Sequence, residues 1–300
     1  MKDKVYSQVY SILKTSREGV LDAIKGLADI GWDGIEAMGT NTGGLSKDDF
    51  HKFINDLGIR IISFHSLRDD YDREFAQEFG AKYTDVRPAH DLITVDQCKR
   101  SAEQLTKDCE YLKKFGLIGI VHNHATEFWP VEDDPDHNTA YDLLIRYTDP
   151  DIVKFELDVG WAMRAGINCG DLIRKYPGRF PVLHVKECNE VGKTYEDLEH
   201  FPRKVMEMMP PKPAAADDSK FIKGAPTFTD EQFKILKDSR KWNVALGEGL
   251  CDWVDIRNAA ESQPGGCDAY ISEREYFGPH GNEEDPFVWA KRDYDFLRAL

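Results

Sequence analysis

Histidines and carboxylates recur in this sequence directly after short apolar runs. The four places are HNHATE at 122–127, ELD at 156–158, HVKE at 184–187 and ERE at 273–275. Carboxylates combined with an imidazole suit a hard or borderline divalent ion such as Mn²⁺, Mg²⁺ or Co²⁺, and thiolate ligands are not required. If the fold brings these places together, they predict a divalent-metal site.

The direction of each side chain follows from the strand that carries it. Side chains alternate between the two faces of a strand, so His122 shares a face with His124, and His184 shares one with Lys186. Glu187 is turned to the opposite face. Two of the four places therefore present two polar side chains each to the same side.

The elements that must position these residues are eight strands separated by amphipathic segments. Helical spacing of apolar residues is clear at 19–30, 47–57 and 94–115. The predicted strands are 5–9, 34–37, 60–64, 82–86, 118–122, 153–157, 180–185 and 269–272. Eight βα units in about 300 residues predict a single α/β domain, a (β/α)₈ TIM barrel, with a doubly wound sheet as the alternative. In a barrel, polar residues at the carboxyl ends of strands converge on one mouth.

One stretch interrupts the alternation. Residues 189–243 follow the seventh strand and include the run MMPPKPAAA at 208–216 without a strand pattern. In a barrel this segment would be an insertion on the catalytic face, a lid or rim. A plain exposed linker is the alternative.

Each candidate residue also has an ordinary structural explanation. Asp158 could be a turn or N-cap residue. His122 and His124 could be interior histidines whose hydrogen bonds are satisfied. Glu273 could belong to a solvated acidic rim with Glu275, Glu283 and Glu284, and Glu156 could be paired inside the protein. The occurrence of four polar strand ends in order, each after an apolar run, favours the metal site.

Charge and cysteine content exclude several classes of protein. A formal net charge of −15 argues against a nucleic-acid surface, which needs clustered Lys and Arg. The sequence contains neither the apolar core of a signal peptide nor a run of about twenty apolar residues. Its six cysteines form no CxxC pair. We therefore expect a cytoplasmic protein with six free thiols and no membrane contact, and a homodimer is possible because symmetric pairs are common.

With these motifs in place, the chain resembles the sugar phosphate isomerase/epimerase family of xylose-isomerase-like TIM barrels along nearly its whole length. The characteristic elements are HNHxxEF at 122–128, ELDVGW at 156–161, RAG at 164–166, YPGR at 176–179, HVKE at 184–187 and GEGLCDW at 247–253, with similar opening strands at 6–11 and 30–36 and a similar ending at 285–297. These motifs are specific for the family and much less so for a substrate.

The resemblance implies one divalent ion held by Glu, Asp, His and Glu at successive strand ends, with Mn²⁺ favoured and Mg²⁺, Co²⁺ or Zn²⁺ possible. Carried onto this sequence, the ligands are Glu127, Asp158, His184 and Glu273. Related subfamilies take the first ligand earlier on its strand, nearer His122. The chain departs from the family's HxKD and EQD patterns, and Arg274 adds a cation beside the site.

The expected chemistry is proton abstraction from a C–H group beside a carbonyl, with the ion chelating that carbonyl and a neighbouring hydroxyl. Glu127 and Glu273 are the carboxylate candidates for moving the proton, His122 and His124 are the imidazole candidates, and Lys186 could stabilise negative charge on an oxygen. The predicted substrate-binding residues are Glu36, His65, Trp161, Arg164 and Arg274.

The same proton abstraction serves isomerisation, epimerisation or elimination of water from a small sugar, keto-sugar or cyclitol. A metal-dependent dehydratase or lyase is therefore the nearest alternative. Phosphodiester hydrolysis like that of endonuclease IV would need several zinc ions and a basic DNA track, and a binding barrel without turnover would need no ion. The number of bound ions separates these alternatives.

Overall fold

The eight strands of this protein close into one parallel barrel. A computed structural model describes residues 3–13, 19–88, 92–208, 229–274 and 285–300. The strands follow one another in chain order around the barrel, and β1 pairs with both β2 and β8. This closure excludes the doubly wound sheet and confirms the (β/α)₈ barrel.

All eight predicted strands are present, and their ends lie within two residues of the predicted ones. The strands are β1 Val5–Gln8, β2 Gly34–Met38, β3 Arg60–His65, β4 Tyr83–Val86, β5 Ile118–His122, β6 Lys154–Asp158, β7 Val182–Val185 and β8 Ala269–Ser272. Apolar runs of four to six residues predict them well because strands of a parallel barrel are covered on both faces.

Helices connect the strands on the outside. They are α1 Val9–Leu13, α2 Val20–Ile30, α3 Lys47–Leu57, α4 Asp70–Glu78, α5 Val95–Leu112, α6 Ala140–Tyr147, α7 Val159–Arg164, α8 Cys169–Lys175, α9 Tyr195–Leu198, α10 Arg203–Glu207, α11 Asp230–Ser239, α12 Trp253–Ser262 and α13 Pro286–Ala299, with 3₁₀ turns at Lys113–Phe115 and Thr126–Phe128. Gly31 and Gly58 end α2 and α3 in the left-handed conformation, as a short αβ loop requires.

The segment after β7 is partly helical. Helices α9 and α10 form soon after β7, and α11 precedes the return of the chain to α12. The sequence predicted no strand between 189 and 243, and within the described parts of that segment the structure has none. Residues 209–228, which contain most of the proline- and alanine-rich run, lie outside the described residues.

Two apolar layers support the barrel. A large layer fills the space between the strands and the helices, and a smaller cluster that includes Tyr6, Tyr83 and Ile271 fills the lower interior. Polar side chains occupy the interior above this smaller cluster. All six cysteines are free. Among the described residues, no helix combines the length and apolar character needed to cross a membrane.

Gly34 is required where β1, β2 and β3 meet. A Cβ atom there would lie 2.3 Å from the carbonyl oxygen of Arg60 and 2.6 Å from the ring of Tyr6. We expect Gly34→Ala to destabilise the protein by about 1–3 kcal/mol or more, because a backbone atom cannot move aside as a side chain can. Urea unfolding monitored by circular dichroism measures this. Gly19→Ala is the control, since a Cβ atom there meets nothing within 4 Å; equal midpoints for the two variants would contradict the prediction.

Candidate metal centre

Four side chains from consecutive strand ends meet at the mouth of the barrel. We call them the outer group, and they are His122, Asp158, His184 and Glu273, whose ligand atoms all lie within 4.8 Å of one another. His122 ends β5, Asp158 ends β6, His184 lies on β7 and Glu273 directly follows β8. The parallel barrel brings these residues together because the carboxyl ends of its strands meet at one face.

The spacing within the outer group fits a single small ion. His184 Nδ1 lies 2.9 Å from Glu273 Oε2 and 3.8 Å from Asp158 Oδ2. His122 Nε2 lies 3.1 Å from His184 Nδ1 and 3.4 Å from Asp158 Oδ2. An ion with bonds of about 2.0–2.2 Å separates neighbouring ligand atoms by roughly 3.0–3.5 Å in tetrahedral or octahedral geometry. The outer group can therefore hold one divalent ion after small movements.

His184 is oriented for this role by carboxylates on its far side. Its Nε2 lies 2.8 Å from Glu36 Oε1 and 3.1 Å from Glu156 Oε1. Histidines that bind metals usually donate their second ring N–H to a carboxylate, which fixes the tautomer and the ring plane. The arrangement leaves Nδ1 of His184 directed at the other members of the outer group.

The carboxylates beneath His184 belong to a second cluster in the barrel interior. This inner group consists of Glu36, His65, Glu156 and His184, and all four are buried. His65 Nε2 lies 3.0 Å from Glu36 Oε2 and 2.9 Å from Glu156 Oε2, and Gln8 donates to Glu36 Oε1 at 2.8 Å. Burial alone would lower the pKa of His65, but the charges of Glu36 and Glu156 outweigh it and raise that pKa well above its usual value.

Charge balance tests whether an ion fits. The outer and inner groups contain four carboxylates, and Lys186 with the imidazolium of His65 supplies two positive charges. Two negative charges remain once His122 and His184 bind an ion, because an imidazole must release the proton from its coordinating nitrogen to act as a ligand. One divalent ion in the outer group would balance them, whereas a further cation in the inner group would exceed the balance.

Asp158 caps a helix with one carboxylate oxygen and faces the outer group with the other. Its Oδ1 accepts a hydrogen bond from the backbone N–H of Trp161 at 2.9 Å and so caps α7, while Oδ2 faces the outer group. Asn123, between His122 at the end of β5 and His124, holds the backbone of Asp158. Its side chain accepts from Asp158 N at 2.9 Å and donates to Asp158 O at 3.2 Å. No sequence pattern identified Asn123, because alternation predicts only that its side chain lies on the face opposite the two histidines.

Lys186 lies directly behind two members of the outer group. Its Nζ is 2.8 Å from Asp158 Oδ2 and 3.1 Å from Glu273 Oε2, and it lies over the ring of Trp161 at 5.4 Å. The side chain of Lys186 is fully buried. In this geometry the ammonium group neutralises and orients the two carboxylates.

Glu127 lies outside both groups. Its Oε2 accepts from the backbone N–H of His124 at 3.0 Å and from the Thr126 hydroxyl at 3.4 Å, and its Oε1 is 3.9 Å from His124 Nδ1. Burial raises the pKa of Glu127 above its usual value, against the hydrogen bonds and the charge of His122. A carboxyl group with a raised pKa beside an imidazole suits acid–base chemistry better than permanent coordination.

The remaining predicted substrate-binding residues have protein partners. Arg274 makes a two-pronged ion pair with Asp293 of α13, at 2.9 and 2.7 Å. Arg164 donates to the carbonyl of Glu190 at 2.9 Å. Trp161 is fully buried. Glu275, Glu283 and Glu284, which the rim interpretation of Glu273 invoked, lie outside the described residues.

Glu187 is turned away from the outer group, as alternation predicts, and it holds the chain that returns after the insertion. Its carboxylate accepts from the backbone N–H groups of Cys188, Gly247 and Cys251 at 2.9–3.2 Å, and from the indole N–H of Trp253 at 2.6 Å. Four donors on one buried carboxylate make this a structural anchor for the GEGLCDW motif.

Comparison with solved structures agrees with this architecture. A sugar phosphate isomerase/epimerase from Parabacteroides distasonis superimposes with a TM-score of 0.69 at 19% identity, over 99% of this chain and 98% of that one. The fold is that of the xylose isomerase-like barrels. The IOLI protein with a bound zinc atom gives 0.63 at 15% identity over 99% and 97% of the two chains. The probable 3-DHS dehydratase AsbF of Bacillus anthracis, involved in petrobactin synthesis, gives 0.65 at 14% identity over 98% of each chain. Protein-family models and curated proteins give no match.

Two residues compete for the first ligand position. The sequence resemblance implies Glu127, and the geometry favours His122. We expect His122→Ala to weaken Mn²⁺ binding by more than about 100-fold, because changes behind the ligands alone cost 10- to 100-fold. Glu127→Gln should bind Mn²⁺ like the wild type. Isothermal titration of the chelator-treated proteins measures both. Loss of Mn²⁺ binding in Glu127→Gln, with normal binding in His122→Ala, would restore Glu127 as the ligand.

The position of Lys186 beside two buried carboxylates predicts that ion binding and the stability of the protein depend on each other. Lys186→Met leaves two buried carboxylates without their ammonium partner, so the ion-free variant should lose about 3–5 kcal/mol of stability. Added Mn²⁺ should then raise its melting temperature more than that of the wild type, because the ion replaces the lost positive charge. Differential scanning calorimetry with and without Mn²⁺ measures this. Lys193→Met, at an exposed lysine, is the control, and equal shifts in all three proteins would contradict the prediction.

Proposed function

We propose that this protein is a divalent-metal-dependent isomerase or epimerase of a small sugar, keto-sugar or cyclitol. The observation that carries the proposal is the outer group, in which two imidazoles and two carboxylates from consecutive strand ends meet within 4.8 Å at the mouth of the barrel. The structural neighbours named above support the same class, and Mn²⁺ remains our preferred ion for its mixed oxygen and nitrogen ligands.

The roles of the protein side chains follow from their positions. A divalent ion, when bound, would supply a positive centre that stabilises negative charge on the substrate's oxygens. Lys186 and the inner group are buried behind the ligands and orient them. Glu127 and His124 stand beside the outer group and are the residues that accept and return the proton of the substrate C–H. The raised pKa of Glu127 brings it closer to the pH at which a carboxyl group can act in both directions.

Elimination of water is the second candidate. It begins with the same proton abstraction and differs only in a leaving group on the next carbon. The barrel of the probable dehydratase AsbF supports keeping this alternative. Phosphodiester hydrolysis is disfavoured by the net charge of −15 and by the charge balance, which one divalent ion satisfies.

Exchange of substrate protons with solvent tests the proposal without knowledge of the product. The Mn²⁺-loaded protein, incubated in D₂O with a panel of four- to six-carbon ketoses and cyclitol ketones, should introduce deuterium at the carbon beside a carbonyl, detected by NMR. Glu127→Gln should slow this exchange by roughly 10²- to 10⁴-fold, the usual contribution of a general acid–base group. It should do so while retaining the ion.

Glu132→Gln is the matched control, because Glu132 is an exposed carboxylate on the same loop. Its exchange rate should equal that of the wild type. Absence of exchange with every member of the panel by the Mn²⁺-loaded wild type would overturn the proposed function. Exchange at an unchanged rate in Glu127→Gln would remove Glu127 from the mechanism and leave His124 as the base.

A further inference from the structure

The segment after β7 reaches the mouth of the barrel at both of its described ends. Asn189 donates its backbone N–H to the carbonyl of Trp242 at 2.9 Å, so the outgoing and returning chains lie side by side. Asn243 donates its side-chain amide to the carbonyl of Glu187 at 2.7 Å. Gly192 donates to the carbonyl of Arg164 at 2.8 Å. These bonds tie the segment to the ends of β7 and α7, next to the outer group.

Trp161 is the centre of this attachment. Its ring lies 4.7 Å from the ring of Trp242, 5.5 Å from that of His200 and 5.5 Å from that of His124, and the guanidinium of Arg240 lies over it at 4.8 Å. Three of these four neighbours belong to the segment after β7. Trp161, predicted from the sequence as a substrate-binding residue, is thus the anchor of this segment.

This attachment places His200 at the edge of the candidate active site. Its ring centroid is 4.2 Å from that of His124, which in turn is 5.2 Å from that of His122 in the outer group. Arg240 donates to the carbonyl of His200, and Phe201 packs edge-on against the His200 ring at 4.3 Å. His200 is therefore held in a defined position, and its backbone and ring are supported from both sides.

We propose that His200 is a substrate-contacting residue that binds a hydroxyl group of the sugar, beyond His124 on the side away from the ion. An imidazole nitrogen can donate to or accept from a hydroxyl group, and His200 is half-buried, with its Nδ1 atom enclosed. Three histidines form a row from the candidate ion site to the segment after β7, namely His122, His124 and His200. This segment thereby contributes to specificity, and the inference rests on the proposed function.

The test compares His200→Ala and His200→Gln with the wild type in the deuterium-exchange assay, using the ketose that exchanges fastest and its monodeoxy analogues. Loss of one hydrogen bond should raise KM by about 3- to 10-fold for the full ketose, with little change in kcat or in bound Mn²⁺. For the analogue that lacks the contacted hydroxyl, wild type and His200→Ala should have equal KM values. His200→Gln keeps a donor and an acceptor and should recover most of the loss.

His51→Ala is the control, because His51 is an exposed histidine on α3 at the outside of the barrel. Its kinetics should be those of the wild type. A purely structural role for His200 would raise KM equally for the ketose and all its analogues, and this result would overturn the inference. Unchanged KM in His200→Ala would also overturn it while leaving the proposed function intact. Lack of exchange by the wild type would overturn both.

Discussion

The structure depends on four carboxylates that the barrel encloses at its upper end. Carboxylates are very rarely buried without compensation, because removal of each from water costs several kcal/mol. Lys186 lies between two of them, and His65 bridges the other two. His184 connects the pairs, with one ring nitrogen toward each. The remaining negative charge is what makes the outer group suited to a divalent ion.

This constraint accounts for much of the surrounding detail. Asp158 must present one oxygen to the outer group, and it is fixed by capping α7 with the other and by the bonds of Asn123 to its backbone. Lys186 is held in turn by the end of β7, where the neighbouring Glu187 binds the returning chain through four donors. The lower interior of the barrel, beneath these polar residues, is filled by the apolar cluster that includes Tyr6, Tyr83 and Ile271.

The residues beside the outer group differ from its members in that they lie outside the strands. Glu127 lies in the 3₁₀ turn Thr126–Phe128, and His124 and His200 lie on loops; all three residues are half-buried. Loops at the mouth of a rigid barrel can change without disturbing the ligands behind them, which is why barrels of this kind support different reactions. The substrate of this protein is therefore expected to be decided by its loops, and the segment after β7 is the longest of them.

Much of the architecture was determined by the sequence itself. Apolar runs and helical periodicity predicted all eight strands, and strand ends identified Asp158, His184 and Glu273, because burial on both faces and alternation along a strand are local properties. The strand pattern did not identify the fourth member of the outer group, His122, as a ligand in place of Glu127. His122 and Glu127 are five residues apart, and only the turn of the chain into the 3₁₀ segment Thr126–Phe128 places Glu127 beside the group instead of in it. Arg274 looked equally available, but Asp293, nineteen residues later, binds it. His200 had no local signal at all, since its position depends on packing against Trp161 across the barrel mouth. Contacts between distant segments decide where such side chains point, and they exist only once the barrel has closed.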